Sequence, residues 1–200
     1  VGMADTMMVT AAGESVVSGV SLVDNINILI INIFSALSTG GAVVVAQYLG
    51  RREPENARSA ARQLLYAALL AALALMALAL LLREHILRLL FGDIAQEVMD
   101  SALIYFLLTA AAYPFIAIYN AGAALFRAMG NSKVSMINSL IVNIINIAVN
   151  AVLIYGFGMG AAGAGIGTLA SRVAAAVIIG VMITRPTLQV YVDNLFRPAL

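Results

Sequence analysis

The sequence predicts an all-α membrane protein, a six-helix transmembrane bundle whose first helix is truncated. Three observations predict it. Of 200 residues, 62% are hydrophobic and only 10% charged, where a soluble globular domain carries roughly a quarter charged. Apolar runs recur along the chain at about the 20 residues that a spanning helix needs. The runs, Leu64–Leu82 above all, are uninterrupted and lack the period-two alternation of barrel strands.

The elements follow in order. Val1–Thr10 (VGMADTMMVT) reads as the end of a first span, so the chain is expected to begin partway through a helix and to be a fragment of something larger. A short polar turn, Ala11–Ser15, leads to the second span, 21–49. There Asn25, Asn32, Ser35 and Thr39 share one face by helical spacing. Asp24 and Asn27, near its start, read as a polar entrance. Gly50–Arg62 (GRREPENARSAAR) reads as a charged loop, with Pro54 and Glu55 suited to opening the next helix. Span three, 63–82, is an uncharged Leu/Ala run, and Arg83–Glu97 reads as a longer, partly amphipathic connection with His85 at the surface. Span four, 98–126, should kink at Pro114, whose ring removes a hydrogen bond. After the tight turn Arg127–Lys133 come span five, 134–155, the turn Gly156–Met159 and span six, 160–184. Residues 185–200 form an amphipathic tail.

Loop charge orients these spans. If they alternate, one side holds Arg51, Arg52, Arg58, Arg62, Arg127, Lys133, Arg185 and Arg197, and the other only Arg83 and Arg88. Basic loops stay inside, which puts the N-terminus and the tail in the cytoplasm of a multi-pass protein.

Composition also excludes. The net charge of +1 and the lack of a basic arm offer nothing to nucleic acid. With no Cys, disulfides and thiolate metal sites are out. One His and no HExxH or GxSxG motif leave little for intramembrane hydrolysis. An enzyme, a metal and a cofactor are therefore not expected.

What remains is polar residues inside apolar spans, which are costly in hydrocarbon unless they find partners. Asn143, Asn146 and Asn150 are spaced three and four apart in span five, with Ser135 and Ser139 extending their stripe. Such a stripe suits a protein interior, a cavity or an ion site, although asparagines also glue helices together. Asp5 is an acid flanked by apolar residues, and loss of hydration favours its neutral form, so proton binding near neutral pH becomes accessible. Thr168 and Arg172, four apart, share a face of span six; the arginine needs a partner or must reach the interface. Gly163 with Gly167, and Gly156 with Gly160, are GxxxG pairs that let helices approach closely.

Several stretches resemble the multidrug and toxic compound extrusion (MATE) transporters. They are VGMADTMMV at the end of span one, AQYLGRREPENAR after span two, ALFRAMGNSK after span four, NIINIAVNAVLIYGFGMGAAGAGIGT across spans five and six, and the SR that follows. Their order and spacing match along nearly the whole chain. The resemblance implies one lobe, the N-terminal, of a twelve-helix protein built from two six-helix lobes, with 185–200 as a cytoplasmic linker toward a missing C-terminal lobe. It implies a cation-coupled antiporter of the inner cell membrane, using H+ or Na+ and exporting drug-like, often cationic small molecules. It carries the N-lobe coupling site to Asp5, Asn146, Asn150 and Thr168, with Asn32, Asn143 and Arg172 as secondary candidates. Some members have an acid where this chain has Asn150. A single carboxylate suits one proton better than a bare Na+. The rival readings are a lipid-linked oligosaccharide flippase of the same superfamily and a non-transporting helical scaffold.

Overall fold

A computed structural model of the chain describes residues 14–92, 95–158 and 161–183. Among them there are six α-helices and no strand: α1 Glu14–Gly50, α2 Pro54–Phe91, α3 Gln96–Ala111, α4 Tyr113–Ala128, α5 Ser132–Asn150 and α6 Ala161–Ile183. The first expected span, 1–10, lies outside the described residues. By length and apolar composition α1, α2, α5 and α6 can each cross a membrane, and α3 with α4 can form a fifth, bent crossing.

The helix ends follow local chemistry. Only Arg51–Glu53 separate α1 from α2, much less than the charged loop expected over Gly50–Arg62. The N–H groups of Arg51, Arg52 and Glu53 bond back to Gln47, Leu49 and Tyr48, and Pro54 opens α2 with its fixed φ. Asn56–Arg62, with its two arginines, thus lies in the first turns of a helix. The connection expected over Arg83–Glu97 is also helical as far as Phe91. The apolar run does end in a kink, at Leu82 (φ −114°, ψ 15°). Beyond it a Glu84–Arg88 pair at 2.8 Å and a buried Leu87 keep the chain helical. Gly92, at φ +67°, closes α2 in the left-handed region that suits glycine.

Span four is broken where Pro114 implied a kink. α3 ends at Ala111 and α4 starts at Tyr113, with Pro114 in its first turn; the two are bent by 46°. The ring cannot donate to the preceding turn and crowds it. Thr109 adds to the bend, because its hydroxyl bonds the carbonyls of Tyr105 (2.9 Å) and Phe106 (3.3 Å).

The core centres on α4, which packs against α1, α2 and α6. The largest fully buried side chains are Tyr105, Tyr113, Phe34, Phe106 and Phe126, and Phe34 meets Tyr113 edge to face, with centroids 6.3 Å apart. Asp24 and Asn27 prove to be inter-helix ties. The Tyr105 hydroxyl donates to Asp24 Oδ1 (2.8 Å) and the Tyr113 hydroxyl to Asn27 Oδ1 (3.0 Å). Among the described residues α5 packs mainly on α6, and lightly on α4, where the Tyr119 hydroxyl donates to the Ser135 carbonyl at 3.4 Å.

Close approach between α3 and α6 depends on Gly165, where an added Cβ would come within 2.7 Å of Leu108 Cβ. Gly40 has nothing within 4 Å. Gly165→Ala should therefore cost about 1–3 kcal/mol by overpacking, read as a lower thermal midpoint of the purified chain, while Gly40→Ala leaves it unchanged. Equal effects of the two would refute this packing.

Candidate functional site

The polar residues of α5 converge on α6. On α5 the buried residues are Asn138, Val142, Asn146 and Asn150, one every fourth position. Three of these four are asparagine, and Asn146 and Asn150 are fully buried (0% exposed). The buried residues of α6 are mostly small, among them Gly163, Ala164, Gly167, Thr168, Ser171 and Ala175, and Gly167 and Ala175 meet α5. Amides on one helix are thereby pressed against a surface with almost no side chain of its own.

The tightest point is at Gly167. A Cβ there would collide with Asn150 Oδ1 and lie 2.9 Å from Asn150 Cγ and 3.5 Å from the Asn146 carbonyl. The missing side chain is the notch that the Asn150 amide fills. Asn150 Nδ2 donates to Asn146 Oδ1 over 3.5 Å, a long bond. Asn138 Nδ2 donates to the Ala175 carbonyl at 3.4 Å, tying the other end of the seam. Ser171 bonds back to the Thr168 carbonyl at 2.9 Å. Two polar atoms in the seam have no hydrogen-bond partner among the described residues, the donor Asn146 Nδ2 and the acceptor Asn138 Oδ1. Left without a partner, each such group would cost about 1–3 kcal/mol.

Directly after Asn150 the backbone widens into a π-helical turn, Ala151–Gly156, a feature frequent at functional sites. Among the described residues, no group of three or more His, Cys, Asp or Glu could hold a metal ion.

Of the residues singled out in the sequence, Asn146 and Asn150 are buried in this seam, and Thr168 is buried on α6 next to Gly167. Asp5 lies outside the described residues. Asn143 does not join them: it is exposed, as are Ser139 and Asn32. The contact with α6 follows the every-fourth-residue row of α5, as ridge packing prefers; Asn143 sits three before Asn146 and falls off that row. The row takes in Asn138 instead, which the sequence reading passed over although the four-residue spacing 138, 142, 146, 150 was there to read. Arg172 is half-buried and engaged within the protein. Of the GxxxG glycines, Gly163 and Gly167 are buried against neighbours, whereas Gly156 is exposed. Gly160 lies outside the described residues.

Comparison with known proteins bears on what such a seam serves. A family model described as MatE matches residues 1–152. The chain is similar to the "Uncharacterized transporter YisQ" of Bacillus subtilis (strain 168), 30% identical over 189 residues, covering 92% of this chain and 41% of the relative. It is also similar to the "Probable multidrug resistance protein NorM" of Thermotoga maritima, 28% identical over 193 residues, covering 94% of this chain and 41% of the relative. Among solved structures, "MATE in the bent conformation" superposes with a TM-score of 0.90 at 23% identity, over 96% of this chain and 43% of the other. The "inward-facing conformation of a multidrug resistance MATE family transporter of the MOP superfamily" matches with 0.90 at 24%, over 98% and 44%. These two likenesses carry the fold. The chain spans about two-fifths of the length of its curated relatives.

If Gly167 is the notch for Asn150, Gly167→Ala should cost about 1–3 kcal/mol, and Asn150→Gly should relieve much of that cost. In a double-mutant cycle on thermal midpoints we expect a coupling of about 1 kcal/mol or more. Additive losses would mean that the two do not meet.

Proposed function

The chain belongs to the MatE family, and from that membership we propose that it is the N-terminal lobe of a cation-coupled antiporter that exports drug-like, often cationic compounds across the inner cell membrane. The observation that carries the reading is the buried amide pair Asn146 and Asn150 of the α5–α6 seam, with Thr168 buried on α6 next to Gly167. One named relative is described as an uncharacterized transporter and the other as a probable multidrug resistance protein, and one solved structure of this fold as a multidrug resistance MATE family transporter.

In this reading Asp5 is the proton carrier. The Asn146 amide has a donor, Nδ2, with no partner among the described residues, and a carboxylate is an acceptor-only group when ionised. A charged carboxylate at Asp5 is chemically suited to accept from that N–H, and protonation of the acid would weaken such a bond. Thr168 supplies a hydroxyl on the opposite helix. The result is an element with two arrangements, and a lobe that packs differently in each is what alternating access around a midplane site requires. Proton and drug compete for the cavity, each favouring one arrangement.

H+ is favoured over Na+ because position 150 is an amide. Hard cations are held by several oxygens, preferably carboxylates, and Asn150 brings no charge. The basic loops Arg51–Arg52 and Arg127–Lys133 support an orientation with these turns, the N-terminus and the tail in the cytoplasm. The second lobe of the whole protein would complete the cavity.

Replacing Asp5 by Asn in the full-length protein should abolish proton-driven export of a cationic dye from whole cells while the protein still reaches the membrane. Undiminished export would remove the coupling role. Asn150→Asp should add Na+ dependence; unchanged ion dependence would contradict the reason given for H+.

A further inference from the structure

Asp24 is a carboxyl group inside a membrane-spanning helix, and neither the amide seam nor its proposed partner Asp5 uses it. It stands in the part of α1 that is long and apolar enough to cross a membrane, and it is half-buried. The Tyr105 hydroxyl of α3 donates to its Oδ1 at 2.8 Å. Acids at such a depth are costly and mark sites of function by default. Three residues on, along the same face of α1, Asn27 Oδ1 accepts from the Tyr113 hydroxyl of α4 at 3.0 Å. The two phenols flank the break between α3 and α4: Tyr105 lies two turns before Ala112, and Tyr113 directly after it.

The two ties differ in kind. The Asn27–Tyr113 tie is buried, joins neutral groups and is backed by Phe34 edge to face on the Tyr113 ring; nothing in it takes up a proton near neutral pH. The other ends on an acid. An ionised carboxylate accepts a charge-assisted bond roughly twice as strong as a neutral one, so a proton on Asp24 weakens the hold on Tyr105. One tie therefore pins α4 at every pH, and the other pins α3 only while Asp24 is charged. α1 packs on α2, α3 and α4, and lightly on α6. Of the charged groups on those helices, Glu84, His85 and Arg88 of α2 and Glu97 and Asp100 of α3 are exposed, and Arg83 of α2 and Arg172 of α6 are half-buried. The remaining charges of α2 and α4 lie at their opposite ends, Glu55, Arg58, Arg62 and Arg127, and Glu14 of α1 itself stands nearly three turns before Asp24. α3 in turn reaches the helix under the seam. Leu108, one turn after Tyr105, meets Gly165 of α6 so closely that an added Cβ would fall 2.7 Å from Leu108 Cβ, and two residues beyond is Gly167, the notch for Asn150. Contacts packed this densely pass a displacement on.

We propose that Asp24 is a second proton-binding site of the lobe, and that its proton loosens α3 from α1 and so shifts α6 beneath the amide seam. The proton comes from solvent and converts the carboxylate to the acid, with no other bond made or broken. The site needs the hinge at Ala112 and the two phenols, and it depends neither on Asp5 nor on the transport reading.

The chain has no cysteine, so two introduced ones can carry spin labels without background: Ile104→Cys on α3 and Leu78→Cys on α2, both at exposed positions. The purified chain, with Asp5→Asn in the same background, is titrated in detergent from alkaline to acid buffer. Two signals are followed, the distance between the labels and the infrared carbonyl stretch of protonated carboxyls. We expect the distance to shift with the same midpoint as one carboxyl band. Asp24→Asn should remove that band and hold the acid-side distance at every pH. Tyr105→Phe, which deletes a single oxygen and serves also if Asp24→Asn does not fold, should keep the titrating carboxyl and still hold the acid-side distance. A distance that does not move in the parent, a shift that persists in either variant, or a carboxyl band undiminished in Asp24→Asn would overturn the proposal.

Discussion

Three asparagine side chains have to be accommodated between two helices where no water can serve them. This requirement governs much of the lobe. Asn138, Asn146 and Asn150 are buried on one row of α5, and only a partner helix without bulk can come close enough to cover them. α6 is that helix, its buried residues mostly glycine, alanine, serine and threonine. In lipid, where the hydrophobic effect does not drive helices together, small residues and interhelical hydrogen bonds take over. Among the described residues α5 touches little besides α6, and of these contacts the seam is the main one that positions it.

The rest of the bundle holds α6 in place. α3 and α4 both pack on it, and they can do so at two angles because the chain is broken between them at Ala112. On the far side, tyrosines of α3 and α4 tie down Asp24 and Asn27 of α1. The lobe thus has a firmly packed part around α4 and a more lightly attached part, α5 with its π-helical turn. A seam held by long hydrogen bonds is a place where two arrangements can lie close in energy. That links the packing to the proposed exchange of proton and drug, since a ligand shifts an equilibrium only as far as it distinguishes its states.

Much of this was legible in the sequence. Long uncharged runs such as Leu64–Leu82 have one physical meaning, and the apolar run does stop at the Leu82 kink. Pro114 told of the break because proline removes a donor wherever it stands. The charged stretches were less readable: Asn56–Arg62 and Arg83–Phe91 looked like loops but continue α2, because charge marks the edge of a membrane and not the end of a helix. In span five the burial of Asn146 and Asn150 was legible, whereas Asn143 lies off the buried row. A single helix leaves a choice between the three- and four-residue rows; the crossing with α6 decides it, and that is tertiary information. Asn138 belonged to the same choice.

The central claim is that the buried amides are kept for function rather than for stability. It is tested most directly by replacing Asn146 and Asn150 together with leucine, an apolar side chain of similar size. Two quantities are then compared: the thermal midpoint of the purified chain, and dye export by the full-length protein carrying the same changes. The account predicts a midpoint changed little, because packed apolar groups can replace both members of a buried polar pair at small cost, together with lost export. A large fall in the midpoint that accounts for the loss of export would show that the asparagines are helix glue, and would contradict the account.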